Sequence, residues 1–143
     1  MKIEILCEGK IKRNHANILC NDYCLRVSKL KHSGISELKI NELTEHKIKI
    51  IKKKKYPLYI LNQTGRLIST EDLLNLIKEN IMRSNKNIFF AIGNANGFSL
   101  NYEKYINLSL GKLTFTHVLT RLIFCEQIYR CVTRLINHPY HKN

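Results

Sequence analysis

Apolar and polar positions along this chain change period repeatedly, and each change marks an element. Residues 2–7 alternate, with Ile3, Ile5 and Cys7 on one side, which predicts a first strand ended by Gly9. Ile18, Leu25 and Leu30, with Tyr23 and Val27 between them, predict a helix over 14–30. Alternation returns over 35–43 as a second strand, while 42–55 is short, basic and ambiguous. Residues 56–61 form a buried-type strand followed by a turn-like Asn62, Gln63, Thr64 and Gly65. Ser69 then caps a helix, with Asp72 in the capping-box position and Leu73, Leu74, Ile77 and Ile81 on its core face. Residues 88–92 are the most strand-like run. A short helix over 99–105 and a last strand over 106–110 follow. Val118, Leu122, Cys125, Ile128, Tyr129, Val132, Leu135 and Ile136 then trace one face of a long helix. Pro139 disfavours a helical His138, so that helix stops near Asn137. Strand and helix alternate throughout. The expected fold is therefore α/β, a mostly parallel sheet with helices on both faces, in a single domain over 1–143 without repeats or linkers.

Size supports that reading, since 143 residues suit one domain burying roughly 68–70% of its unfolded surface. No apolar run approaches the ~18–20 residues of a membrane span, and the opening residues are too short and too alternating for a signal peptide. Five cysteines, an odd number without secretory context, read as reduced thiols in the cytoplasm. The formal charge of +13 points to a polyanionic partner. The bland alternative is compositional drift, since Lys, Asn and Ile are heavily used throughout. The lysine run at 52–55 is, on the same footing, usually a solvated face and only sometimes a phosphate patch.

Two loops and a tail carry the candidate chemistry. Gly93, Asn94, Ala95, Asn96 and Gly97 leave the buried strand at its carboxyl end, where open α/β sheets bind ligands, although a plain tight turn is as common. Gly111, Lys112, Leu113, Thr114, Phe115 and Thr116 form a loop rich in backbone donors and hydroxyls that leads to His117. Arg130 and Arg134 lie one turn apart off the apolar stripe, with Glu126 four residues before Arg130, the favourable pairing order. Asn137, His138, Pro139, Tyr140, His141, Lys142 and Asn143 close the chain. Taken alone, Arg130 can simply pair with Glu126, His117 can be a satisfied structural histidine, and the tail can be unstructured. Cys20 and Cys24 have the spacing of two metal ligands, but no second Cys/His pair is placed to complete a site, so no metal is expected.

Glu126, Tyr129 and Arg130, followed by His138, Pro139, Tyr140 and His141, resemble the carboxyl end of the ribosomal RNA large subunit methyltransferase H family, of the SPOUT class. Gly93, Gly97, Leu113, Thr114, Phe115, His117 and Arg121 fit the same pattern, and the opening strand and first helix fit loosely. The resemblance implies a carboxyl-terminal trefoil knot that binds S-adenosylmethionine through three loops. Here these contribute Leu61, then Gly93 and Asn94, then Gly111 to Thr116. It implies methylation of N3 of a pseudouridine in large-subunit rRNA within the ribosome. It also implies a homodimer in which one subunit's tail completes the other's active site. Arg130, Tyr140 and His141 match the catalytic positions, and His117 and His138 the substrate-binding ones.

Some positions depart from the family pattern. Its Gly-Gly pair reads Gly93 and Asn94, its acid after Leu61 is Asn62, and its prolines around His117 are Thr116 and Val118. The chain is also shorter than is usual near 42–55. A second reading, from another class, is a small basic RNA- or ribosome-binding protein that kept the knot and lost the cofactor through Asn62 and Asn94. Within the enzyme reading, His141 or His117 can receive the proton, since an unperturbed imidazole titrates near ~6.5, and His141 is the better candidate. Arg130 neutralises phosphate or the developing anion, and Tyr140 stacks on or hydrogen-bonds the target base.

Overall fold

The computed structural model describes residues 1–94 and 101–142. Five strands, β1 (Lys2–Cys7), β2 (Glu37–Glu42), β3 (Leu58–Leu67), β4 (Asn87–Ile92) and β5 (Ile106–Ser109), form one sheet in the order β2-β1-β4-β3-β5. Every pairing is parallel. Strands enclosed this way are buried on both faces, which explains the nearly unbroken apolar run of β4, where Ile88, Phe89, Phe90, Ala91 and Ile92 are all buried.

The two-residue period sorts the core into two layers. Ile3, Ile5, Ile88, Phe90, Leu61 and Leu108 face one side with residues of α1 (His15–Lys29), α3 (Thr70–Met82) and α4 (His117–Leu135). Phe90 meets Phe124 of α4 edge-on, with centroids 4.7 Å apart. Leu6, Leu58, Ile60, Phe89 and Ala91 face the other side, against Ile48 and Ile51 of α2 (Glu45–Lys54). Among the described residues, three helices thus cover one face, and α2 with Tyr102 and Tyr105 covers the other.

Local signals set the helix ends. Ser69 Oγ accepts from the Asp72 amide at 3.0 Å while Asp72 Oδ2 accepts from the Ser69 amide at 2.8 Å, the reciprocal capping box expected from sequence. These donors hold the Asp72 carboxyl below its usual range, the Ser69 backbone bond contributing most. At the far end of α4, Asn137 adopts a left-handed φ of 55°. The His138 amide then donates to the Thr133 carbonyl at 2.9 Å and the Asn137 amide to that of Arg134 at 3.3 Å. This paired arrangement ends the helix and reverses the chain.

Three local expectations change. The ambiguous basic stretch is helix α2, capped by Thr44 Oγ1 accepting from the Lys47 amide at 3.2 Å. Residues 62–65 lie inside β3 instead of ending it: Leu61 and Arg66 both pair with Leu108, so the four residues between them bulge out of register. Of the short helix expected over 99–105, the described part is a single 3-10 turn, Tyr102–Lys104. Residues 95–97 of the glycine loop lie outside the described residues.

Candidate functional site

At the carboxyl edge of the sheet, three chain segments enclose an open cleft of about 590 Å³. The bulge in β3 supplies Leu61, Asn62 and Gln63; Gly93 and Asn94 follow β4; and the segment after β5 contributes Gly111, Leu113, Thr114, Phe115 and Thr116. Apolar side chains and main chain dominate, with hydroxyls at Thr114, Thr116 and Thr120. Such a volume and lining suit a small organic ligand with one flat apolar part and several polar ends.

Its walls are tied together. Gln63 Nε2 donates to the Lys112 carbonyl at 3.2 Å and to Thr114 Oγ1 at 2.9 Å, joining the bulge to the loop after β5. Asn62 Oδ1 accepts from the Thr64 amide at 3.3 Å, and its Nδ2 donates to Asn107 Oδ1 at 3.2 Å. Asn62 therefore shapes the bulge while lining the cleft. Gly65 lets that bulge lie on β5, because a Cβ there would stand 2.6 Å from the Asn107 main chain. Gly111 turns the outgoing chain at a φ of +156°, and its amide donates to the buried Ser109 Oγ at 3.3 Å.

Of the residues assigned to the cofactor from sequence, all line this cleft except Lys112, which contributes its carbonyl to the Gln63 clasp. His117 lines it too, at the first turn of α4. Arg130, Tyr140, His141 and His138 do not.

A second cluster lies at the other end of α4. Glu126 Oε1 accepts from Arg130 Nη2 at 2.6 Å, from Arg130 Nε at 3.0 Å and from the Tyr140 hydroxyl at 3.0 Å. Its Oε2 accepts from Gln127 Nε2 at 2.7 Å, and Gln127 Oε1 accepts from Thr70 Oγ1 at 2.6 Å, reaching α3. The Tyr140 ring packs edge-on against Tyr129, with centroids 4.6 Å apart, and lies 5.0 Å beneath the Arg130 guanidinium. Hydrogen bonding to Glu126 raises the Arg130 pKa. Burial, reinforced by the bond to Glu126, pushes the Tyr140 phenol up, so it serves as a proton-bearing donor and not as a base. The exposed His138 turns Nδ1 inward to accept from the Tyr140 amide at 3.2 Å. His141 follows, half-buried. Thr120, the last residue of α4 to line the cleft, precedes Glu126 by six positions and Arg130 by ten, about 9 and 15 Å of helix. No residue is common to cleft and cluster.

A family model described as predicted SPOUT methyltransferase matches residues 1–141. The chain belongs to the SPOUT methyltransferase family. Proteins named ribosomal RNA large subunit methyltransferase H are similar over nearly their whole length. The one from Mycoplasma mycoides is 35% identical over 155 aligned positions, covering 99% of this chain and 100% of the relative. Those from Malacoplasma penetrans and Clostridium novyi are 37% and 33% identical, with the same coverage of both chains.

Within this SPOUT chain, Glu126, which the sequence marks as the partner of Arg130 and as part of the family motif, has a further role. Its carboxylate also orients Tyr140, which a spacing of 14 residues across a chain reversal conceals. Gln63 was passed over as part of a turn. Arg121 is buried at 4% exposure, and its Nε has no hydrogen-bond partner. Burial carries the Cys7 thiol up to about 11 against the pull of this charge, while Cys20 is drawn down chiefly by its bond with Cys125 and further by Arg121. Among the described residues no three His, Cys, Asp or Glu side chains converge to hold a metal, and no helix is long and apolar enough to cross a membrane.

Proposed function

We propose that this SPOUT chain methylates large-subunit rRNA at N3 of a pseudouridine on the assembled ribosome. S-adenosylmethionine is the donor, and the protein is a cytoplasmic homodimer of single knotted domains. The relatives' shared name supports the substrate. The cleft fits the cofactor: its volume and apolar walls suit an adenosyl group. Main-chain groups of Gly93, Gly111 and Lys112 and the hydroxyls of Thr114 and Thr116 would hold the polar ends. Bound there, S-adenosylmethionine supplies a methyl group activated by its sulfonium centre.

The protein's part in such an in-line displacement is to orient the acceptor and remove its proton. Tyr140 donates to or stacks on the base, Arg130 offsets anionic charge as the acceptor nitrogen is deprotonated, and His141 takes that proton. His117 and His138 contact the RNA. The observation that carries the dimer is the separation of cleft and cluster along α4, about 9 Å from Thr120 to Glu126 and about 15 Å to Arg130, with no residue common to both. A second copy must bring its tail to the first copy's cleft. Ile18 and Leu25, two turns apart on α1 and 55% and 60% exposed, and Leu119 on α4 at 47% supply an apolar surface for that contact.

The test is transfer of labelled methyl from S-adenosylmethionine to ribosomes lacking the modification, with isolated rRNA alongside. Label on N3 of a ribosomal pseudouridine is expected. No label on either substrate, from folded protein that also fails to bind the cofactor in a titration, would favour the binding-module reading.

A further inference from the structure

Among the described residues, α2 is the one α-helix on the second face of the sheet, with Tyr102 and Tyr105 packed beside it, and its charge exceeds what that task needs. Ile48 and Ile51 are buried against the sheet, while Lys49, Lys52, Lys53, Lys54 and Lys55 are exposed. Lys47 pairs with Glu4 at 3.1 Å. Among the described residues no other lysine of this helix forms an ion pair. Lysines in a last turn are stabilised by the helix dipole, which accounts for Lys52, Lys53 and Lys54. Lys49, in the middle of the helix, has no such reason, and Lys52 three residues on repels it.

These two lysines line a groove of about 450 Å³ between the turn at Glu8 and Gly9, Leu43 with Thr44, and α2. The groove ends at Asn94, which also lines the cleft on the other side. Glu8 and Glu45 share its wall, so it presents acceptors as well as cations. A bare anion would gain little from those carboxylates. A ribonucleotide strand matches both, with phosphate oxygens for the lysines and 2′-hydroxyl donors for the carboxylates.

We propose that this groove holds the sugar–phosphate backbone of the rRNA strand leading to the cleft, with Lys49 and Lys52 on its phosphates. The inference rests on the rRNA methyltransferase reading. It adds an RNA contact on the face of the sheet opposite α4.

Ribosomes lacking the modification are titrated with wild type and with Lys49→Gln/Lys52→Gln across a salt series. Two lost phosphate contacts are expected to flatten the slope of log affinity against log salt by about 1.5–2. Lys49→Arg/Lys52→Arg should restore it, and S-adenosylmethionine binding should be unchanged. Lys31→Gln/Lys86→Gln, at the amino edge of the sheet, should keep the wild-type slope. Wild-type binding with an unaltered slope in the groove variant overturns the groove alone, as does an equal loss in the amino-edge variant. A loss seen with ribosomes but not with protein-free rRNA assigns the groove to ribosomal protein and also overturns it. Wild type without salt-dependent binding to either overturns the rRNA reading itself.

Discussion

The cleft at the carboxyl edge of the sheet is made of main chain, hydroxyls and apolar side chains on loops, whereas the cluster at the end of α4 is made of long side chains around one carboxylate. The cleft stands open, with Leu113 on its rim 72% exposed. The cluster is closed on itself, with Glu126 Oε1 accepting three hydrogen bonds. The first arrangement suits a ligand that brings its own reactivity and needs only to be held. The second fixes side chains in advance, so little ordering entropy remains to be lost when they meet a substrate. In the proposed reading, their separation along one helix divides binding from chemistry.

The strongest way to break this division is to mix two crippled proteins. Gly111→Val alters a cleft-lining turn at a φ that a side chain rarely adopts, and Arg130→Ala disarms the cluster. Each alone should retain under about a hundredth of wild-type methyl transfer. After subunit exchange, mixed dimers carrying one intact site should return about a quarter of wild-type activity. No recovery would mean that cleft and cluster serve the same subunit.

Gly65→Val should be the most damaging to stability, since its Cβ would stand 2.6 Å from the Asn107 main chain. A loss of about 3 kcal/mol in urea unfolding is expected, with cofactor affinity falling as the bulge shifts. Tyr140→Phe should act only on the other region. The ring keeps its place against Tyr129 and loses the bond to Glu126, a cost of about 1.5 kcal/mol. Cofactor titration should be unchanged, and a weakened response there would show the two regions coupled within one chain.

The smallest effect concerns pH. The Cys7 thiol, on the strand beside the cleft-lining Ile92, is held up at about 11 by burial, whereas an unfolded cysteine titrates near ~8.5. Between those values the folded chain binds more protons than the unfolded one, so stability falls as pH rises through this window. Urea midpoints at pH 8 and pH 10 should diverge less for Cys7→Ala than for wild type.

Much of the fold was legible because burial writes itself as period. The α4 stripe, the capping box at Ser69 and the run of β4 each have one dominant local signal. Helix α2 was obscured because lysines outnumber its two buried isoleucines, and their apolar face is only two turns long. Residues 62–65 carry turn chemistry, and only their pairing with β5 shows that the strand resumes beyond them. The cleft-lining residues are readable from glycines and hydroxyls in loops after strands. The hub role of Glu126 is not, because Tyr140 reaches it only through the reversal at Asn137.

The order of the strands also governs how the chain reaches this state. β1 is made first, yet its two neighbours begin at Glu37 and Asn87, so one of its edges stays unpaired until more than half the chain exists. Closing loops of that length precedes any gain from pairing, and parallel sheets of this kind fold in milliseconds to seconds, not microseconds. Refolding of the isolated protein should be slow and prone to association at low denaturant, where the open edge of β1 is longest-lived.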